Sequence, residues 1–238
     1  MRLIYISHCI AFLLSVGNLF SQNEKTDLKK MNETYAHAAS FSMKIEMQIQ
    51  SGNEGTNESR FYKGIVKKSG NSYYSDMAGK TTLLNDNYYL LIDNDHKLMI
   101  CSKPLGKREK GNTNVSEIYE DSSMFEGAKM SYVFANSEHK KIRLNYKEGI
   151  FDEIDITINS ITYALEEVVY SYRKNSDADV QFSKVVIAYK AIMFNPKFSS
   201  ADFSENKFIV RSKGKLIPAQ LYSDYHLVDQ ASNTSETQ

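Results

Sequence analysis

The chain has 238 residues, with 29 Lys plus Arg against 29 Asp plus Glu. Zero net charge argues against a nucleic-acid binder, which needs a clustered positive face. At 42% hydrophobic residues the chain can fill a sizeable core, which argues against intrinsic disorder. Tyrosine (16) and phenylalanine (12) are abundant and tryptophan is absent. Tyr joins an apolar ring to a polar tip and suits half-buried strand positions.

Arg2, the apolar stretch Leu3–Ile6 with Cys9–Phe20, and the polar Ser21-Gln22-Asn23 read as a secretory signal over residues 1–22. Its core is too short for a comfortable membrane span. Removal of this segment leaves Cys101 as the one cysteine, so no internal disulfide is expected. Cys101 closes the run Leu98-Met99-Ile100-Cys101 and reads as a small buried hydrophobe.

From Lys25 to Ser40 the apolar residues Leu28, Met31, Tyr35 and Ala38 or Ala39 fall at steps of three and four, which predicts a helix capped at Thr26. The period then changes to two. Phe41, Met43, Ile45, Met47 and Ile49 alternate with Ser42, Lys44, Glu46, Gln48 and Gln50, giving a strand with one solvated face. Ser51–Ser59 is a loop by composition. A meander of hairpins follows through Arg60–Lys68, Ser72–Met77, Thr81–Leu84, Tyr88–Ile92 and His96–Cys101. Residues 102–114 are a basic loop, and Ser116–Met130 is predicted as a second helix. Strands resume at Lys141–Lys147, Ile150–Ile158 and Tyr163–Tyr172, with a break at Asn175-Ser176-Asp177. Val180–Phe194 is a long strand whose parity shift near Val185-Val186-Ile187 suggests a bulge. Phe208–Arg211 and Lys215–Leu227 flank a turn at Lys213-Gly214, and the tail 231–238 reads as disordered. The whole predicts one mainly β domain over residues 23–230, with about ten strands.

No phosphate loop, HExxH, CxxC or nucleophile elbow is present, and no catalytic residue stands out. His37, His96, His139 and His226 are scattered, which predicts no metal site and no cofactor. Asp152-Glu153-x-Asp155 reads as a solvated strand face rather than a calcium site or a carboxylate pair. The positive signal is distributed. Met43, Met47, Tyr73, Met77, Tyr89, Met99 and Met193 place long or flat side chains on strands, and Met adapts to irregular apolar shapes.

Particular stretches resemble the periplasmic outer-membrane lipoprotein carrier family (LolA-like). Ser40-Phe41-Ser42-Met43-Lys44-Ile45 follows the first helix as that family's first strand does. Tyr62–Tyr74 (YKGIVKKSGNSYY) is similar to its strand–turn–strand, Leu83–Ile92 (LLNDNYYLLI) to its next hairpin, and Phe194-Asn195-Pro196 through Phe208 to its closing segment. The family's Arg-Pro turn appears here as Ser69-Gly70, and Leu221–Asp229 has no counterpart in the short carrier pattern. The resemblance implies a single curved antiparallel half-barrel sheet with lid helices on its concave face. It implies an apolar cavity lined by Met43, Ile45, Met47, Tyr73, Leu90, Ile92, Ile154, Ile156 and Phe182, under a lid of Leu28, Met31, Tyr35, Met124 and Phe125. It further implies a monomeric, non-enzymatic periplasmic carrier of lipid or acylated lipoprotein, served by membrane-associated donor and acceptor proteins. The alternative is an envelope interaction protein with a filled β core.

Overall fold

The computed structural model describes residues 24–51, 58–104, 127–174 and 182–231. The expected signal, most of the loop Ser51–Ser59, the basic loop beyond Pro104, the helix Ser116–Met130 up to residue 126 with Met124 and Phe125, the break at 175–177 and the tail from 232 lie outside these residues. So does the side chain of Phe182.

The first element, α1, is a helix over residues 24–37. Leu28, Met31 and Tyr35 are buried on one stripe while Lys25, Lys29, Lys30 and Glu33 are exposed, as a 3.6-residue period dictates. Thr26 lies inside the helix, not at its cap. Fourteen strands follow among the described residues: β1 Ser40–Ser51, β2 Ser59–Ser69, β3 Ser72–Met77, β4 Lys80–Leu84, β5 Tyr89–Asp93, β6 Leu98–Ser102, β7 Ala128–Ala135, β8 His139–Tyr146, β9 Phe151–Asn159, β10 Leu165–Tyr172, β11 Phe182–Phe194, β12 Ile209–Ser212, β13 Lys215–Pro218 and β14 His226–Asp229. Residues 128–130 therefore belong to strand β7, not to the second helix.

Twelve strands hydrogen-bond in the order β14-β6-β5-β4-β3-β2-β1-β11-β10-β9-β8-β7, and β12–β13 form a separate hairpin. The ladders are antiparallel from β2 to β6 and from β11 to β7, while β14 runs parallel to β6. The fold is thus mainly β, in one open antiparallel-dominated sheet with a helix. The turns are set by side chains. Asn85, Asp93, Asn136 and Asn159 each accept backbone N–H groups from residues two and three positions on, which offers the backbone a turn in place of a ladder. At the β12–β13 turn, Lys213 (φ 49) and Gly214 (φ 83) are both left-handed, the geometry that matches strand twist in a two-residue hairpin. β11 pairs with β10 in unbroken register through Val185-Val186-Ile187. The irregularity lies further on, at Ala191, whose φ is 48.

The contacts divide into two compact units, one gathering Met1–His37, Gln48–Arg60 and Val115–Ala188, the other Ala38–Met47, Phe61–Asn114 and Tyr189–Gln238. In the second unit Leu83, Leu90 and Cys101 stand opposite one another across β4–β6, as do Ile92 and Met99. All five are 0% exposed. Their cover is the chain's own C-terminal segment, through Phe203, Phe208, Ile209 and Leu216. In the first unit the register aligns Ile142, Ile156 and Val168, and beside them Leu144, Ile154 and Tyr170. The opposite face is polar: Arg143 lies opposite Asp155 and donates two hydrogen bonds of 2.7 Å to it. Asp155 is only 7% exposed, so at this residue the expected solvated face is corrected: the face is polar, but the carboxylate sits under a guanidinium rather than in water.

Candidate functional site

The strongest grouping of sequence-predicted site residues lies in the first unit, where α1 closes one end of the apolar face of β7–β10. Period-two alternation puts Ile142 and Leu144 of β8 and Ile154, Ile156 and Ile158 of β9 on a single face, and a register shift between Leu165 and Glu167 brings both Leu165 and Val168 of β10 onto it. Each is 0–1% exposed. Five β-branched aliphatics in this strip also favour the extended backbone that displays them.

Polar contacts fix where α1 lies. Tyr35 Oη accepts the Leu165 backbone N–H at 3.1 Å in a buried setting. Burial pushes the Tyr35 phenol up to about 12, against the smaller downward pull of that N–H. The hydroxyl therefore stays neutral at any ordinary pH. At the other end of the helix Asp27, 5% exposed, receives the Tyr132 hydroxyl at 2.6 Å and the Lys140 ammonium at 2.8 Å. Burial, and then the Asp27 carboxylate, raise the Tyr132 phenol far above its ordinary value. For Lys140, burial works against the charge, but Asp27 and the Tyr163 oxygen outweigh it and hold the ammonium protonated. Lys30 donates to the Tyr163 hydroxyl at 3.2 Å, and both Lys30 and Lys140 lie over the Tyr163 ring, at 5.1 and 5.2 Å from its centroid. A charged latch thus joins one end of α1 to β7, β8 and the β9–β10 turn, and a neutral hydrogen bond joins the other end to β10.

One feature works against closure. Glu24, on the same helical stripe, is 3% exposed, and its Oε2 has no hydrogen-bond partner among the described residues. A buried unsatisfied oxygen is destabilising, so the seated helix is held less firmly than its contacts alone suggest. Beyond the latch, the strip runs into half-buried rings. Phe151 stacks at tilted angles against Tyr170 (5.5 Å), Tyr172 (5.0 Å) and Tyr146 (6.4 Å). Burial raises the phenols of Tyr146, Tyr170 and Tyr172. Aliphatic strip, helical cover and aromatic margin together form a mainly apolar surface, chemically suited to a flexible apolar chain.

No family model and no curated protein matches the sequence. Among solved structures the chain is similar to the LolA superfamily protein NE2245 from Nitrosomonas europaea, at 9% identity over 76% of this chain and 96% of that one, with a TM-score of 0.34. It is similar to a putative outer membrane lipoprotein-sorting protein domain from Vibrio parahaemolyticus, at 12% identity over 75% and 96%, with a TM-score of 0.33. It is also similar to MucB, at 7% identity over 77% and 63%, with a TM-score of 0.43. At such identities nothing about binding or partners passes from those proteins to this chain.

The residues of the expected cavity are distributed over both units. Ile154 and Ile156, with Leu28, Met31 and Tyr35 of the lid, belong to the first unit. Met43, Ile45, Met47, Tyr73, Leu90 and Ile92 fall in the second. There Leu90 and Ile92 pack in one core with Phe203 and Phe208. Tyr73 lies opposite Lys68 and Leu84, so Tyr74, not Tyr73, shares the face of Leu83 and Leu90. The adjacent pair Tyr73-Tyr74 leaves that parity open in the sequence, and a shift of one residue exchanges faces. Met43 and Ile45 are buried and Met47 is half-buried. Sequence reasoning missed Asp27, Tyr132, Lys140 and Tyr163. Asp27 and Tyr132 stand 105 positions apart, and no local pattern links them.

The second unit also holds an open cleft of about 530 Å³ lined by Ser72, Asn85, Asn87, Ser204 and Glu205 among others. Its lining is mixed, with Ala201 and Phe203 beside these polar groups, and two of its amides are engaged: Asn85 donates to the Phe203 carbonyl and to Glu205, and Asn87 donates to Glu205. Among the described residues no helix is long and apolar enough to cross a membrane.

Proposed function

We propose that the protein is a non-enzymatic periplasmic carrier of acyl chains, which it takes up between helix α1 and the apolar face of β7–β10. The observation that carries this reading is the continuous aliphatic strip from Ile142 to Val168, covered among the described residues by helix α1, which a charged latch and the buried Tyr35 hydroxyl tie to the strands. The energies are compatible with exchange. About fourteen CH₂ groups of an acyl chain bring about 11 kcal/mol on burial, while Leu28 and Met31 together bring about 3–6 kcal/mol. A ligand chain can therefore replace the helix's apolar contacts. The test is native mass spectrometry of the purified protein, followed by titration with a fluorescent fatty acid. Co-purified acyl species and saturable binding are expected; empty protein that fails to bind the probe would refute the reading.

A second reading has its own support. The hollow expected over β4–β6 is occupied by the chain's own Phe203, Phe208, Ile209 and Leu216, as in an interaction protein with a filled core. On that reading the first unit is also simply packed, and loosening α1 lowers stability without improving probe binding.

A further inference from the structure

The β12–β13 hairpin carries an apolar surface that the acyl-chain site leaves unused. Its inward side is anchored: Ile209 is 1% and Leu216 8% exposed, both within the core of the second unit. On the outward side a short hairpin ordinarily shows polar residues to water. Here Val210 and Ile217 stand directly opposite each other, 38% and 41% exposed. On the 3-10 turn that follows, Gln220–Tyr222, Leu221 is 88% exposed. The hairpin tip is cationic. Lys213 and Lys215 flank Gly214, Lys207 precedes the first strand, and all three are exposed. None makes an ion pair among the described residues, whereas Lys67, Lys80, Lys97, Lys140 and Arg143 are all paired. The left-handed turn at Lys213-Gly214 and the bond from Arg211 to the Gly214 carbonyl hold the tip in shape.

We infer that this hairpin docks the protein onto an anionic lipid surface, with Val210, Ile217 and Leu221 in the headgroup layer and Lys207, Lys213 and Lys215 against lipid phosphates. Charge complementarity selects this occupant. Unpaired ammonium groups at the rim of a small apolar face gain from a negative bilayer, whereas the apolar face of a protein partner would need no such rim. Because the hairpin is already rigid, little ordering is lost on docking. The inference stands apart from the carrier reading and uses different residues.

The test is cosedimentation of the full chain with vesicles of phosphatidylcholine alone, or of phosphatidylcholine and phosphatidylglycerol in equal parts, at low and high salt. Binding to the anionic vesicles that weakens with salt is expected. The pair Lys213→Gln/Lys215→Gln should weaken it roughly thirtyfold, at about 1 kcal/mol per lysine. Val210→Ser/Ile217→Ser should weaken it at least about fivefold at both salt concentrations. Thermal melts of both variants, expected to match the parent, show that the hairpin still folds. Equal binding to neutral vesicles, binding unchanged in both variants, or binding to an acidic protein but not to vesicles would each overturn the inference. Because vesicle binding is read without a fatty-acid probe, its failure leaves the acyl-chain site to its own test.

Discussion

Asp27→Asn separates a lid from a piece of core. The substitution keeps the shape of the side chain and an oxygen for the Tyr132 hydroxyl, but removes the charge that faces Lys140 at 2.8 Å. Lys140 retains its contact with Tyr163, so the ammonium is not stranded. Loss of a charge-assisted bond at a site this enclosed should cost about 2 kcal/mol. If α1 must rise for a chain to enter, that loss raises the open fraction, and apparent affinity rises in proportion, by up to about thirtyfold. Two measurements follow on the same protein: urea unfolding, in which stability falls, and titration with a fluorescent fatty acid, in which the apparent Kd also falls. Arg143→Gln is the control, since Arg143 lies on the opposite face; it should lower stability without tightening binding. If Asp27→Asn lowers stability and leaves the Kd unchanged or raises it, α1 is structural cover and the carrier reading fails.

Tyr35→Phe strands the buried Leu165 N–H and should cost about 1–3 kcal/mol in denaturant unfolding, again with tighter probe binding. Leu90→Ala opens a void beneath Phe203 and Phe208; it should cost about 2–5 kcal/mol and leave fatty-acid affinity unchanged, because the second unit is filled. Asp202 provides a pH signature. Lys67, at 2.8 Å, and then the Ser199 N–H and hydroxyl pull its carboxyl down to about 2. The folded value lies below the unfolded one, so its stabilisation is present above about pH 4 and is lost as pH falls toward 2. Thermal midpoints between pH 5 and 2 should fall less steeply in Lys67→Met than in the parent; identical slopes would refute the assignment.

Much of the fold is legible in the sequence because its signals are local. The stripe Leu28, Met31, Tyr35 specifies α1, and the alternation through Ile154, Ile156 and Ile158 specifies β9 and its inner face. Asn85, Asp93, Asn136 and Asn159 announce their turns by side-chain chemistry. The misses arise where the deciding partner is distant. The alternation of β1 suggests a solvated face, yet Ser42 is 6% exposed and its hydroxyl has no partner among the described residues; only tertiary packing buries it. The end of the predicted second helix is a strand because Ala128 and Met130 pair with Tyr146 and Leu144, which periodicity over so short a stretch does not reveal. The cover over Leu90 and Ile92 comes from residues more than a hundred positions later. The latch is legible in neither charge count nor spacing, since Asp27 and Lys140 are unremarkable until β8 brings them together.

The parallel seat of β14 on β6, with the aromatic residues that precede it, has a consequence for synthesis. Leu83, Leu90, Ile92 and Met99 are made well before Phe203, Phe208 and Leu216. A nascent chain must therefore hold an oily strip uncovered through more than a hundred further additions before its own later segment can shield it. Until then that strip is open to chaperones or to aggregation, and folding of this half waits on residues made long after its strands.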